Sequence, residues 1–273
     1  MDRIPIDFTG VRVTALVELY LRWLDAEDPH PILGDTWADR VVQRLDFDFS
    51  QFTPLDIGRY AVGVRSRVMD EWTAEYLSGN PDAVVLDLGS GLDSRVFRVD
   101  PAPGHHWYDV DFPDVIAIRD RLYPPRAEHT SVGASVIDQD WLARIPRDRP
   151  VMVVADGLFQ FLGEDEVRRV FRQIIDHFPS GRFVFNIGAA LVKKRYESRP
   201  EPVFAKHGVT FGWTIEGPRE AEKLDDRLRY VDQRSLAEPT LIKHASLYYR
   251  MVVALVRAVP AWRNSGFLLR YRF

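Results

Sequence analysis

The sequence predicts an α/β fold in which a mostly parallel sheet carries helices on both faces. Three observations lead there. From Ala83 onward, short β-rich runs at 83–88, 105–111, 151–155 and 182–187 alternate with amphipathic stretches. The first run stops at Asp87-Leu88-Gly89-Ser90-Gly91, as a buried strand ending in a tight turn would. Before residue 81 the apolar residues recur only at helical spacing.

Taken in order, Val13, Leu16, Val17, Tyr20 and Leu24 share one face of a helix over 12–25. Residues 36–45 and 65–77 also read as helical, and Val68, Met69, Trp72 and Tyr76 form the inner face of the second. Residues 1–80 are therefore expected to form a helical cap without strands, part of the same domain as the 81–273 core. Between the third and fourth β-rich runs, Val167, Val170, Phe171, Ile174, Ile175 and Phe178 make a helical stripe. Leu228–Val231 and Phe267–Phe273 read as further strands, and the period-two alternation of the last suggests an antiparallel edge strand. The apolar run Tyr248–Val256 reads as a core-facing helix.

Composition removes several function classes. The 273 residues can bury a full core, and the absence of cysteine excludes disulfides, thiolate metal sites and cysteine nucleophiles. None of the seven histidines has metal-ligand spacing, so no metal is expected. A net charge of −4 argues against a nucleic-acid partner. No window is apolar enough to span a membrane, and charges interrupt the N-terminal stretch where a signal peptide would be apolar. A cytoplasmic enzyme acting on a small molecule is the expectation.

In a sheet of this kind ligands bind beyond the carboxyl ends of the strands, which puts Gly89–Gly91, Asp111 and Asp156 on one rim. The glycines leave no side chain between the turn and a ligand. Asp111 closes the next strand, 24 positions after Asp87 (111 minus 87), where an acid can accept hydrogen bonds from a ribose diol. Asp109 points the same way, so spacing does not choose between them; Asp111, nearer the strand end, is preferred. It could instead cap the helix that Pro113 opens. Asp156 ends the apolar run Val151–Ala155 and either faces the crevice or caps the next turn. Arg65 and Arg67 precede the first strand; a guanidinium there could clamp a carboxylate or simply be solvated.

These motifs together resemble the leucine carboxyl methyltransferase superfamily, and within it the tetracenomycin-type polyketide O-methyltransferases of bacteria. The resemblance runs through Thr14-Ala15-Leu16, Asp35-x-x-Ala38, Arg65-Ser66-Arg67, Val85–Arg95, Tyr108–Pro113, Ser135–Trp141 and Ala155–Leu162. It implies a Rossmann-like class I methyltransferase with a seven-stranded sheet, an N-terminal helical cap and S-adenosylmethionine (SAM) as cofactor. By the same resemblance Arg65 would hold the cofactor carboxylate, Gly89, Ser90 and Gly91 would pack on its methionine and ribose, and Asp111 would take the diol. Ser135 and Val136, with Asp138 nearby, would surround the adenine, and Asp156 would lie near the methionyl amino group. Two departures stand out: the family usually has Glu at the position of Asp156, and its protein-carboxyl branch has Tyr near Phe161.

The acceptor expected is a carboxylate or acidic hydroxyl of a polyketide-like molecule. A carboxylic acid with a pKa near 4 is already ionised at neutral pH, whereas a phenol near 10 needs a base. His207 and His244 are candidates for such a base by region only. Residues 191–232 should shape specificity, with Tyr196, Phe204, His207, Phe211 and Trp213 either walling an acceptor pocket or packing the cap. Three alternatives remain: a non-catalytic SAM-binding partner protein, methylation of a protein C-terminus, and a nicotinamide oxidoreductase. The last expects a third small residue where Ser94 stands, and a Tyr-x-x-x-Lys that is absent.

Overall fold

The computed structural model describes residues 3–52, 56–236, 240–259 and 266–273. In chain order the strands are β1 (Ile4–Pro5), β2 (Leu45–Asp46), β3 (Val84–Leu88), β4 (His106–Asp111), β5 (His129–Gly133), β6 (Val151–Ala155), β7 (Gly181–Gly188), β8 (Arg229–Arg234) and β9 (Gly266–Arg272). The α-helices are α1 (Val13–Ala26), α2 (Thr36–Arg44), α3 (Asp56–Gly79), α4 (Arg95–Val99), α5 (Pro113–Leu122), α6 (Glu164–His177), α7 (Ala190–Ser198), α8 (Pro202–Lys206) and α9 (Leu247–Ala258). None is long and apolar enough to cross a membrane among the described residues.

Seven strands form one sheet in the order β5-β4-β3-β6-β7-β9-β8, parallel from β5 to β7. β3 and β6 are buried along their whole length, and their alternate side chains serve two cores. Val84, Leu86 and Leu88 face α6, whose Val167, Val170, Phe171 and Ile174 are fully buried. Val85, Met152 and Val154 face α3, through Val64, Val68, Met69 and Trp72. This two-sided burial explains why these strands read as unbroken apolar runs. The strand order reverses between β3 and β6, so a crevice opens at their carboxyl ends.

Four expectations are corrected. The last strand is antiparallel but interior, paired with both β7 and β8. Its alternation comes from Arg270, which is buried because Asp232 accepts from it at 2.8 and 2.6 Å and Glu75 at 2.8 Å. The true edge is charged, bulged β8, features that discourage further strand pairing. The N-terminal segment does contain strands, since β1 and β2 pair in parallel over two residues. The apolar run in α9 faces the core only in part: Tyr249 and Val253 are buried in the core cluster on the α3 side of the sheet, whereas Leu247, Tyr248, Met251 and Leu255 are exposed. The helix expected over 65–77 extends from Asp56. Within it Gly63 lets α1 approach closely, since a Cβ there would lie 2.9 Å from Asp25 Oδ1.

Ser94, the residue that departs from the dinucleotide fingerprint, joins the N-terminal helices to the sheet. Its buried hydroxyl donates to Asp35 at 2.6 Å, while Asp35 caps α2 through the backbone N–H of Trp37. Arg98 completes the joint, 3.3 Å from Asp35.

Phe171 stacks on Phe183 with centroids 4.3 Å apart and is fully buried. Phe171→Ala should destabilise the protein by about 3–5 kcal/mol in denaturant unfolding. A loss below about 1 kcal/mol would show that α6 does not anchor this face of the sheet.

Candidate active site

The crevice is built on the turn after β3. Gly89 and Gly91 both have left-handed backbone angles (φ 63° and 51°). A Cβ on Gly89 would come 3.0 Å from Leu158 Cδ1, and one on Gly91 would come 3.2 Å from the Ala15 methyl. The turn therefore fits between α1 and the segment after β6 only as glycine. Asp111 fixes it from the next strand: Oδ2 accepts from the Gly91 N–H and Oδ1 from the Phe112 N–H, each at 2.7 Å. Burial pushes the Asp111 carboxyl up to about 6, although those two N–H groups hold it down. Asp109 is spent elsewhere, buried against Arg119, His129 and the Trp107 indole.

Beneath the turn lies a buried ion network. Arg95 meets Asp70 at 2.5 Å, Asp156 at 2.7 Å, and Asp87 and Asp93 at 3.2 Å. Arg98 and Arg22 extend it to Asp35, and Arg65 closes it by pairing with both Asp156 and Glu18. Six carboxylates (Glu18, Asp35, Asp70, Asp87, Asp93, Asp156) thus face four guanidiniums (Arg22, Arg65, Arg95, Arg98), a formal excess of two negative charges. Burial raises Asp87 well above the usual carboxylate range despite Arg95. Burial would raise Asp156 too, but Arg65 and Arg95 overcome it and hold that group low. The arrangement favours a ligand that brings positive charge.

Two chambers meet over this network. One, of about 130 Å³, is lined by the glycine turn, Asp111, Ser135, Val136, Asp156 and Arg65. The other, about 360 Å³, is walled by Tyr196, Phe204, Phe211 and Trp213. Thr14, Glu18, Arg65 and Phe161 line both.

Of the residues singled out in the sequence, Arg65, Gly89, Ser90, Gly91, Asp111, Ser135, Val136 and Asp156 come together in the first chamber. Asp138 does not: its side chain is exposed and outside the lining. Tyr196 and Trp213 line the second chamber, whereas His207 does not. His244 is exposed and packs on His30, so among the described residues no histidine lines either chamber. Arg67 pairs with Glu71 on the surface. The sequence motifs assign no role to Glu18 or Arg22; Glu18 belongs to the dividing wall and Arg22 is buried against Asp35 and Asp93.

The sheet order, the glycine turn and an acid closing the second strand define a Rossmann-like class I methyltransferase. Solved structures share that fold: a DUF574 family protein from Streptomyces avermitilis (TM-score 0.58, 14% identity, 94% of this chain and 96% of that one), and magnesium protoporphyrin IX methyltransferase from Synechocystis with bound S-adenosylhomocysteine (TM-score 0.50, 11% identity, 95% and 99%). The family model for leucine carboxyl methyltransferase matches residues 15–175. Tetracenomycin polyketide synthesis O-methyltransferase TcmP of Streptomyces glaucescens is 40% identical over 98% of both chains. The SAM-dependent methyltransferase dpfgK of Gibberella zeae is 32% identical over 97% of this chain and 95% of its own. The chain belongs to the leucine carboxyl methyltransferase family. It is a SAM-dependent O-methyltransferase.

Removing the centre of the network should be severe. Arg95→Met should cost about 3–5 kcal/mol, because it leaves buried carboxylates unpaired. Adding Asp156→Asn should recover part of that loss in a double-mutant cycle. Independent, additive effects would mean that the two side chains do not act as one unit.

Proposed function

We propose that this enzyme methylates a carboxylate or acidic hydroxyl oxygen of a small aromatic, polyketide-like acceptor. The observation that carries the reading is the wall shared by the two chambers, which sets an aromatic-lined space beside the chamber that the glycine turn lines. The relative TcmP, named for polyketide O-methylation, supports the same acceptor class.

The chemistry of the residues that line the first chamber suits SAM. The net negative network suits its positive charge, and the buried Ser90 hydroxyl has no hydrogen-bond partner among the described residues. The turn presents backbone without side chains, and Asp111 offers a carboxylate to a diol. In this reading Arg65 holds the cofactor carboxylate, Gly89, Ser90 and Gly91 pack on its methionine and ribose, Ser135 and Val136 border the adenine, and Asp156 faces the amino group. Bound SAM supplies an electrophilic methyl group. The protein positions an acceptor oxygen that is already ionised, and orientation alone can be worth effective molarities of roughly 10⁵–10⁸ M. Residues 1–80 and 191–232 act as the cap that keeps water from this oxygen, with Tyr196 and Trp213 contacting the acceptor. A small molecule is thus the partner, with no nucleic acid or membrane involved.

Calorimetric titration should show binding of SAM and none of NADH, and binding of NADH alone would overturn the assignment. Incubation with aromatic polyketide acids and phenols should yield a methylated product; alkaline hydrolysis then distinguishes an ester from an ether. With Asp111 near 6, about nine-tenths is ionised at pH 7 and about one-tenth at pH 5. The wild-type advantage over Asp111→Asn in SAM affinity should therefore shrink about tenfold between those pH values. A constant ratio would remove Asp111 from the cofactor site.

A further inference from the structure

Glu18 occupies Arg65 at Nη2 while Asp156 lies at its Nε, and Glu18 stands on the wall between the two chambers. Its tether is single: Arg65 Nη2 donates to Oε2 at 2.5 Å, and no other hydrogen bond holds the carboxylate among the described residues. Asp156 is held from three directions, by Arg65, by Arg95 at 2.7 Å and by the Ser66 hydroxyl at 2.9 Å. A cofactor carboxylate on Arg65 would place three carboxylates around one buried guanidinium, which desolvation and mutual repulsion oppose. The carboxylate with the single tether is the one that can leave.

We propose that SAM exchanges its carboxylate for Glu18 on Arg65, and that Glu18 turns toward the acceptor chamber as a neutral acid. This rests on the cofactor reading of the first chamber given above. The charged and titratable groups around Glu18 are Arg22 on its own helix, Arg65 on α3, Asp156 after β6, Lys193 and Tyr196 on α7, and Glu201 before α8. Burial already raises the Glu18 carboxyl; Arg65 is the largest influence holding it down, Asp156 pushes it up, and Arg22 lowers it. Lys193 is engaged, donating to the Gly212 carbonyl at 3.0 Å. Diverting Arg65 to another carboxylate therefore drives Glu18 to take up a proton. Glu18 already lines the second chamber, whose roughly 360 Å³ leaves space for the movement. A neutral Glu18 no longer repels an anionic acceptor oxygen and can donate a hydrogen bond to it.

The probe is S-adenosylhomocysteine, which carries the same carboxylate but no transferable methyl group. It is titrated calorimetrically into wild-type protein and Glu18→Gln, in two buffers of different ionisation enthalpy. Asp111 is common to both proteins, so the difference between them reports Glu18. Wild type should take up more protons on binding than the variant, and Glu18→Gln should bind several-fold more tightly at about pH 8, where no ion pair has to be broken. Equal proton linkage with equal affinity would overturn the exchange. Failure of wild type to bind the probe at all would instead overturn the cofactor reading, and this proposal with it. A crystal structure of the wild-type complex needs no variant: Glu18 should stand beyond ion-pair distance of Arg65. An intact Glu18–Arg65 pair beside the ligand carboxylate refutes the proposal.

Discussion

Arg95 is the interaction on which the rest of the structure depends. Its side chain is 1% exposed and joins four parts of the chain: Asp70 on α3, Asp87 on β3, Asp93 in the turn and Asp156 after β6. A guanidinium removed from water is tolerated only when its donors meet carboxylates, and these carboxylates are tolerated because Arg95, together with Arg98, Arg22 and Arg65, answers their charge. Through Arg98 and Ser94 the same network reaches Asp35, which caps α2. The N-terminal helices and the sheet are therefore coupled by charge as well as by apolar packing. The floor of the first chamber is set before any ligand arrives.

That dependence accounts for what could be read from the chain. The apolar runs of β3 and β6 were legible because both faces of each strand are buried, and the glycine turn because only glycine fits between Leu158 and Ala15. Spacing could not separate Asp109 from Asp111; contacts separate them, since Asp109 is consumed by Arg119, His129 and Trp107. Strand β5 escaped notice because, at the sheet edge, its residues are only half-buried and His129-Thr130-Ser131-Val132-Gly133 has no apolar run. The role of β9 was misread for the opposite reason. Arg270 looks like a solvent-facing position, yet it lies over the Trp72 ring and is neutralised by Asp232 on β8, a partner 38 residues away. Local alternation carries no trace of a pairing made at that distance.

The substrate side was less legible, because it depends on loops meeting rather than on periodicity. Tyr196, Phe204 and Phe211 come from α7, α8 and the segment after them, and they stack into one wall only once those pieces fold back over the sheet (Tyr196 and Phe211 centroids are 4.6 Å apart). His207 sits in the same stretch but outside that wall. Being in the right region of the sequence is not the same as facing the chamber.

Position 156 illustrates how the two chambers share their chemistry. An aspartate there is one methylene shorter than the glutamate that the family resemblance leads one to expect, and its carboxylate is absorbed by Arg65, Arg95 and Ser66, leaving the side chain 7% exposed. Glu18, on α1 across the chamber, is 26% exposed and, among the described residues, held by Arg65 alone. The accessible acid at this junction thus comes from the N-terminal helix instead of the strand end. Because α1 also supplies Thr14 and Val17 to the second chamber, the side chain that answers to events at Arg65 sits on the same helix as part of the second chamber's lining. A short acid fixed in the floor and a longer, singly tethered one in the wall divide between them two tasks: holding the guanidinium in place, and responding when that guanidinium gains another partner.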